Sequence, residues 1–270
     1  MYAIWGELSE WFKVRLSKSR VANTHRGFES LALRFAAGWI STGFFITQEV
    51  DMFSNNNIDS IIFDVDGTLW DSTEVVAIGY NRALETYTDL PVRVDGARLM
   101  KLFGKPMDQI FAELLPELSA EQQHYISEKC VILEEEELEK ADPKLLLYPG
   151  IEEMFQKLSE KLPLFIVSNC QCGYIEQFLR KNHFESYITD HLCFGQTGTS
   201  KGQTILRLMK GNHLKDPVYV GDTLGDASAC KEAGIPFILA EYGFGEVSDP
   251  DASIQKPLDL VDLLQIKTLD

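Results

Sequence analysis

Four short groups of polar residues have the side-chain types that phosphoryl transfer requires. They are Asp64-Val65-Asp66-Gly67-Thr68, Ser168-Asn169, Lys201 within Thr199-Ser200-Lys201-Gly202, and Gly221-Asp222-Thr223-Leu224-Gly225-Asp226. Asp64 and Asp66 alternate along an extended backbone, so that one carboxylate can attack while the other transfers protons. A carboxylate nucleophile divides phosphoryl transfer into two steps through an aspartyl-phosphate. The first group therefore predicts covalent catalysis by one of these two carboxylates, with the other as general acid and base.

The other three groups predict how a phosphate anion would be held. Carboxylates repel a phosphate dianion, so a divalent cation has to lie between them, and a set of oxygen ligands indicates Mg²⁺. Ser168 and Asn169 offer a hydroxyl, an amide and backbone donors to the phosphoryl oxygens. Lys201 adds a positive charge that stabilises the transition state. Gly67 permits a sharp turn, and its N–H group can face the phosphate.

Each group taken alone has a less specific explanation. The Asp64–Thr68 run could be a calcium-binding loop or an ordinary turn, and a single lysine at a helix start is usually solvated. The run around Asp222 and Asp226 could simply cap a helix. All four groups together, in this order, favour one phosphate-handling site.

The groups follow short apolar runs that predict buried parallel strands. These runs are Ser60–Phe63, Leu164–Ser168, Val218–Val220 and Pro236–Leu239, with a weaker fifth at His191–Phe194. Helical patterns separate them at Gly173–Lys181, Gly202–Lys210 and Leu224–Ala233. Alternating strands and helices predict an α/β fold with a doubly wound, mostly parallel sheet. Ligands of such sheets bind beyond the carboxyl ends of the strands, where these polar groups fall.

A long helical insert, residues 72–147, separates the first two strands. Ser72 is expected to cap its first helix, and Ser119 and Gln122 have the spacing of a capping box. The acidic run Glu134–Glu137 is interpreted as a solvated helix face. We therefore expect a core domain formed by residues 52–71 and 148–270, with residues 72–147 as a small helical cap domain beside the site.

The four groups, in this order and with an insert after the first, resemble the motifs of the haloacid dehalogenase (HAD) superfamily. The resemblance covers nearly all of residues 58–265 and implies a Rossmann-like core. It also implies that Asp64 is the covalent nucleophile and that Asp66 is the general acid and base. In the same way it implies that Asp64, the backbone carbonyl of Asp66, and Asp222 bind Mg²⁺. Asp226 would then support the waters of the metal or Lys201.

Details of the motifs indicate a branch within the superfamily. Asp66 favours phosphate esters, because dehalogenases of this fold lack the second aspartate and phosphonate hydrolases replace it. The segment Leu102–Leu115, in which Gly104 precedes a short amphipathic run, resembles the phosphoglycolate phosphatase branch. Lys105 could supply charge to a substrate or be solvated, and Trp70 could line the entrance or pack under the insert.

These features predict a Mg²⁺-dependent phosphatase of a small phosphorylated metabolite, either phosphoglycolate or a sugar phosphate. A phosphotransferase similar to β-phosphoglucomutase is an alternative. Such an enzyme would need a bisphosphate activator and would yield an isomer of its substrate, whereas a phosphatase releases inorganic phosphate. A catalytically retired metabolite-binding protein is a second alternative. The presence of Asp64, Asp66, Lys201 and Asp222 speaks against it.

The overall charge limits the partners of this chain. The formal net charge is −16 and the sequence pI is about 4.7, whereas nucleic acids and anionic membranes attract basic surfaces. We therefore predict no nucleic-acid partner and no membrane association. The five cysteines fit neither a zinc site nor a secreted disulfide framework, which predicts reduced thiols and a cytoplasmic location. A monomer is the default expectation.

The first 51 residues differ from the rest of the chain. They contain three of the four tryptophans and more basic than acidic residues. Gly6–Arg20 and Arg26–Leu31 resemble spurious translation through a transfer-RNA gene, and we expect Met52 to be the true start. A targeting segment or a partner-binding helical arm are the alternatives, although Glu7, Glu10 and Glu29 are unusual in a transit peptide.

Overall fold

The computed structural model describes residues 58–264, and within them six strands form one parallel sheet. The strands are β1 (Ser60–Phe63), β2 (Leu164–Ser168), β3 (Ile188–Cys193), β4 (Pro217–Gly221), β5 (Phe237–Ala240) and β6 (Ala252–Ile254). Their order across the sheet is β3-β2-β1-β4-β5-β6. The α/β fold class is confirmed, and the sheet is entirely parallel. The predictions for residues 1–51 lie outside the described residues and stay predictions.

Eleven helices accompany the sheet within residues 58–264. They are α1 (Thr73–Tyr87), α2 (Gly96–Met100), α3 (Met107–Leu114), α4 (Ala120–Lys140), α5 (Pro143–Leu146), α6 (Ile151–Ser159), α7 (Tyr174–Asn182), α8 (Phe194–Thr197), α9 (Lys201–Asn212), α10 (Leu224–Ala233) and α11 (Asp259–Leu263). The first six lie between β1 and β2, and five of these, α1 to α5, form the predicted insert, which is therefore helical. No helix of the described part is long and apolar enough to span a membrane.

The central strands are continuous apolar runs because both faces of the sheet are covered. Every residue of β1, β2 and β4 is buried, whereas the edge strand β3 is mostly exposed or half-buried. Alternation divides the core: Ile61 and Phe63 join the larger cluster under the insert, and Ile62 joins the smaller cluster on the opposite face. Phe63 pairs with Ile166 and with Val220, so that the carboxyl ends of β1, β2 and β4 meet at one edge.

The insert is built on the packing of α1 against α4. A glycine in α1, Gly79, allows the backbones to approach closely: a Cβ atom there would lie 2.7 Å from both N and Cα of Glu134. The N-terminus of α4 has the predicted capping box, with the Ser119 hydroxyl accepting from Gln122 N and the Gln122 side chain accepting from Ser119 N. This close packing fixes the position of Glu134 relative to the sheet edge.

Two expectations from the sequence are corrected, and one strand was missed. Ser72 precedes α1 but does not cap it, because its hydroxyl donates to Asp66 instead. Glu134 is buried, at 3% exposure, because α4 turns this position towards the core, so the acidic run is a solvated face only in part. The short sixth strand, Ala252–Ile254, was not predicted because three residues carry too little periodicity.

Candidate active site

Asp64 leaves the carboxyl end of β1 directly into the buried edge of the sheet. Its N–H donates to the carbonyl of Val220 in β4 over 2.9 Å, which continues the ladder by one residue and fixes the backbone. The side chain is only 1% exposed. Its Oδ1 atom accepts no well-aligned hydrogen bond from the described residues, although the Lys201 ammonium lies 3.1 Å away. The carboxylate is thus rigidly held and paired in charge, and its Oδ1 atom can still accept a further contact.

Lys201 places an ammonium group between two carboxylates. Its Nζ lies 2.6 Å from Asp226 Oδ1 and 3.1 Å from Asp64 Oδ1, and the side chain is 4% exposed. Burial alone would lower the pKa of Lys201, but the charges of Asp226 and Asp64 raise it above its usual value. The start of α9 is held by Glu232 of α10, which accepts hydrogen bonds from Ser200 and Gln203. Helix packing therefore positions this cation.

Asp226 is saturated with hydrogen-bond donors at the start of α10. Its Oδ2 accepts from Thr223 N at 2.9 Å and from Thr223 Oγ1 at 2.6 Å in a capping box, while Oδ1 faces Lys201. Burial works against ionisation here, but the Lys201 ammonium outweighs it and lowers the pKa of Asp226. Asp226 is accordingly a fixed anion that orients Lys201.

Asp222 directly follows β4 and lies near Asp64 at the sheet edge. Its Oδ2 accepts from Phe244 N over 2.7 Å, and Thr68 Oγ1 lies 3.4 Å from Oδ1. Gly67 has a φ of +80° directly against this carboxylate, where a Cβ atom would clash with Asp222 Oδ2. A glycine is required here for both reasons.

Asp64, Asp222 and Asp226 form a compact acidic cluster. One oxygen from each lies within 4.8 Å of the others, and all three side chains are buried. Burial raises the pKa of Asp64 to about 6, against the opposing effect of Lys201. Burial and the charges of Asp226 and Asp64 raise the pKa of Asp222 to about 8. Three carboxylates around a single ammonium leave excess negative charge, which a divalent cation would neutralise.

Asp66 is held by three donors on a single oxygen. Tyr174 OH, Ser72 Oγ and Trp70 Nε1 donate to its Oδ1 over 2.6, 2.8 and 3.1 Å. Burial nevertheless raises its pKa to about 7, because the hydrogen bonds offset only part of the desolvation. A carboxyl group that titrates near neutrality can both give and take a proton.

Ser168 and Asn169 lie where β2 ends, beside Asp64 and Asp66 in a cleft between the sheet edge and the insert. The Ser168 hydroxyl lies beside Asp64 and lowers its pKa, though by less than burial raises it. Asn169 Nδ2 donates to the carbonyl of Gly104 in the insert over 2.7 Å. All seven residues predicted from the sequence thus meet at one edge: Asp64, Asp66, Ser168, Asn169, Lys201, Asp222 and Asp226.

The family follows from comparison with known proteins. Residues 61–240, more than half of the chain, match the family described as haloacid dehalogenase-like hydrolase. The chain belongs to this family. It is therefore a hydrolase, and the resemblance inferred from the four motifs is confirmed.

Relatives with curated names cover most of the HAD chain. A phosphoglycolate phosphatase from Aquifex aeolicus is 27% identical over 218 residues, which span 76% of this chain and 95% of the relative. One from Synechococcus elongatus is 28% identical over 216 residues, or 76% of this chain and 96% of the relative. A solved haloacid dehalogenase-like hydrolase from Streptococcus pneumoniae matches with a TM-score of 0.65 at 22% identity, covering 76% of this chain and 97% of that one, and supports the fold.

The sequence did not reveal which residues surround Asp66 in this HAD chain. Trp70 and Ser72 lie in the loop between β1 and α1, whereas Tyr174 begins α7 and reaches Asp66 only through the fold. Tyr174 begins an amphipathic helix and has no local signature of such a role. Lys105 lines the cleft, but its Nζ lies 2.6 Å from Glu113 Oε1. A contact with substrate was one of its two interpretations from the sequence.

Proposed function

We propose that this HAD chain is a Mg²⁺-dependent phosphatase that hydrolyses a small phosphorylated metabolite. The observation that carries the proposal is the arrangement of Asp64: a buried, rigidly held carboxylate, flanked by the Lys201 ammonium and by the Asp66 carboxyl group, whose pKa lies near neutrality. Relatives named phosphoglycolate phosphatase support phosphate esters as the substrate class. Phosphoglycolate and sugar phosphates are the candidates.

The donor set at the sheet edge fits Mg²⁺. All candidate ligands are oxygen atoms, and the buried Asp64 Oδ1 accepts no well-aligned hydrogen bond, its nearby charge partner being the Lys201 ammonium. The carboxylates of Asp64 and Asp222 and the backbone carbonyl of Asp66 would hold the ion. Both oxygens of Asp226 are engaged by Lys201 and Thr223, which favours a supporting role for that residue. When bound, the ion would neutralise charge on the carboxylates and the phosphate.

In the first step an oxygen of Asp64 attacks phosphorus and the bond to the leaving alcohol breaks. Asp66 gives its proton to the leaving oxygen, so that the alcohol departs neutral. The product on the enzyme is an aspartyl-phosphate at Asp64. Lys201, Ser168 and Asn169 hold the phosphoryl oxygens while charge develops on them.

In the second step Asp66, now ionised, takes a proton from water. The water oxygen attacks phosphorus, the bond to Asp64 breaks, and inorganic phosphate is released. The pKa of about 7 for Asp66 suits both halves of this cycle near neutral pH. Tyr174 and Ser72 orient the carboxyl group throughout, because they hold the same oxygen.

The helical insert, residues 72–147, is proposed to act as a cap over the core formed by residues 52–71 and 148–270. Gly104 and Lys105 of the insert line the same cleft as Asp64 and Asp66. The hydrogen bond from Asn169 to Gly104 joins the two parts beside the phosphate position. A substrate bound at Asp64 would therefore be enclosed partly by insert residues, which would determine specificity.

Release of inorganic phosphate from a panel of phosphorylated metabolites tests the proposal. The full chain with Mg²⁺ is expected to hydrolyse at least one member, and EDTA or Asp64→Asn is expected to abolish release. Asp249→Asn makes the same chemical change at an exposed position and should leave the rate unchanged. Formation of an isomer from a sugar phosphate, without phosphate release, would favour the phosphotransferase. No turnover by a folded chain would favour the metabolite-binding alternative.

A further inference from the structure

Glu134 is a buried carboxyl group in the cleft that the catalytic cycle above does not use. It lies on α4 of the insert, is 3% exposed, and lines the same cleft as Asp64, Asp66 and Asn169. Its Oε1 accepts a hydrogen bond from Gln171 Nε2 over 3.1 Å. Its Oε2 is also buried and accepts no well-formed hydrogen bond from the described residues, although the Tyr80 hydroxyl is near enough to lower the pKa of Glu134.

A buried carboxyl oxygen without a partner is costly, so it indicates a contact completed by a ligand. The backbone that carries Glu134 is fixed by the close approach of Gly79 in α1, and its first oxygen is fixed by Gln171. Both the backbone and one side-chain oxygen of Glu134 are therefore held in place beside the cleft. A solvated glutamate on an exposed helix face would have neither restraint.

The charges around the cleft distinguish between possible substrates. Among the described residues, its lining includes the acidic groups Asp64, Asp66 and Glu134 and a single cation, Lys105, which is paired with Glu113. Lys201 is in turn engaged by Asp226 and Asp64. A carboxylate on the substrate would meet acidic groups on the described lining without an unpaired cation to balance it.

Resting on the proposed phosphatase activity, we propose that Glu134 Oε2 accepts a hydrogen bond from a donor on the alcohol half of the substrate. The preferred esters then carry a hydroxyl or ammonium group close to the phosphate, as sugar, polyol and aminoalkyl phosphates do. Esters that carry a carboxylate at that position, phosphoglycolate among them, are disfavoured. Glu134 is a specificity-determining residue in this proposal.

The protonation of Glu134 sets the conditions of the test. Burial raises its pKa to about 8, because the contributions of Gln171 and Tyr80 offset only part of the desolvation. The titratable groups that face it or influence it are Asp66, Tyr80, Cys130, Glu135 and Tyr174. Below its pKa the acid form can share its proton with a substrate carboxylate, so discrimination should increase as the pH rises past this value.

A set of four two-carbon phosphate esters isolates the contact. Phosphoglycolate, 2-hydroxyethyl phosphate, 2-aminoethyl phosphate and ethyl phosphate differ only in the terminal group. We expect kcat/KM at about pH 9 to be at least about tenfold higher for one donor-bearing ester than for phosphoglycolate and ethyl phosphate, as for a hydrogen bond to a charged group. The hydroxyl and ammonium esters separate the two kinds of donor.

Glu134→Gln is the matching variant, because it keeps the shape and the contact to Gln171 but adds a donor and removes the charge. It should reduce the preference for the donor-bearing ester at least about fivefold and raise kcat/KM for phosphoglycolate. Glu136→Gln, an exposed position on the same helix, should keep the wild-type ranking.

Hydrolysis of p-nitrophenyl phosphate distinguishes a failure of the proposed role of Glu134 from a failure of the proposed phosphatase function. If wild type and Glu134→Gln both hydrolyse it but rank the four esters identically, the role of Glu134 is overturned while the phosphatase function stands. Preference of the wild type for phosphoglycolate at about pH 9 would overturn it equally. If neither protein hydrolyses any ester, the proposed function itself fails.

Discussion

Replacing Glu134 by glutamine should change how the stability of the protein depends on pH. The pKa of Glu134 is about 8 in the folded chain, because burial disfavours its charge, against about 4.3 for an unperturbed glutamate. Between these values the folded state holds one more proton than the unfolded state. The contribution of Glu134 to the free energy of unfolding therefore falls as the pH rises from about 4 to about 8.

The magnitude follows from the same two values. Each pH unit inside this window lowers the free energy of unfolding of the wild type, relative to Glu134→Gln, by up to about 1.4 kcal/mol. Between pH 5 and pH 7 the difference between the two proteins should change by about 2.5 kcal/mol in favour of the variant. Asp66 influences Glu134 and modifies this figure, whereas carboxyl groups that do not act on Glu134 contribute equally to both proteins and cancel.

Urea denaturation at pH 5, 6 and 7 without divalent cations measures this difference. Glu136→Gln is the control, because its carboxylate is exposed and should give a difference that does not change with pH. A difference for Glu134→Gln that is the same at pH 5 and pH 7 would show that Glu134 is ionised in the folded chain throughout, and would refute the reasoning.

Three further changes test the packing and the site. Gly79→Ala should lower the free energy of unfolding by about 2 kcal/mol, since the new Cβ meets the α4 backbone. Gly211→Ala is the control, because it has open space and should raise the free energy of unfolding by about 0.5 kcal/mol. Equal shifts of the urea midpoint in the two variants would contradict this. Tyr174→Phe removes one hydrogen-bond donor to Asp66 and should reduce kcat/KM for alkyl phosphates about tenfold. The reduction should be smaller for p-nitrophenyl phosphate, because its leaving group needs no proton. Equal reductions for both substrates would argue against a positioning role of Tyr174. Lys201→Met leaves buried carboxylates unpaired and should lower the free energy of unfolding, measured with urea, by about 3 kcal/mol. Adding Mg²⁺ should restore part of this loss. A loss below about 0.5 kcal/mol, which is typical of a surface change, would contradict the buried ion pairs.

The sequence predicted the sheet well because buried parallel strands are continuous apolar runs. Ser60–Phe63 and Leu164–Ser168 were predicted to the residue, and Leu224–Ala233 likewise among the helices. The edge strand was predicted only weakly as His191–Phe194, since Ile188–Cys193 is half exposed and its apolar signal is diluted. Strand ends then placed the four polar groups, because parallel strands share one carboxyl edge.

The parts that the sequence did not predict depend on contacts between distant elements. Ser72 has the sequence context of a helix cap, but Asp66 competes for its hydroxyl. Glu134 lies in an acidic run that is typical of a solvated face, and it is buried only because Gly79 admits α4 so closely. Tyr174 reaches Asp66 across the fold, and local pattern cannot reveal a hydrogen bond between residues so far apart.

Trapping the phosphorylated enzyme tests the central proposal most directly. A substrate identified by phosphate release is mixed with the full chain and Mg²⁺, quenched in acid during turnover, and digested for mass spectrometry of the peptide that contains Asp64. We expect one added phosphoryl group on that peptide, located at Asp64 and absent from Asp64→Asn. Rapid turnover with no phosphoryl group on Asp64 at any quench time, or with the group on another residue, would contradict the proposed nucleophile.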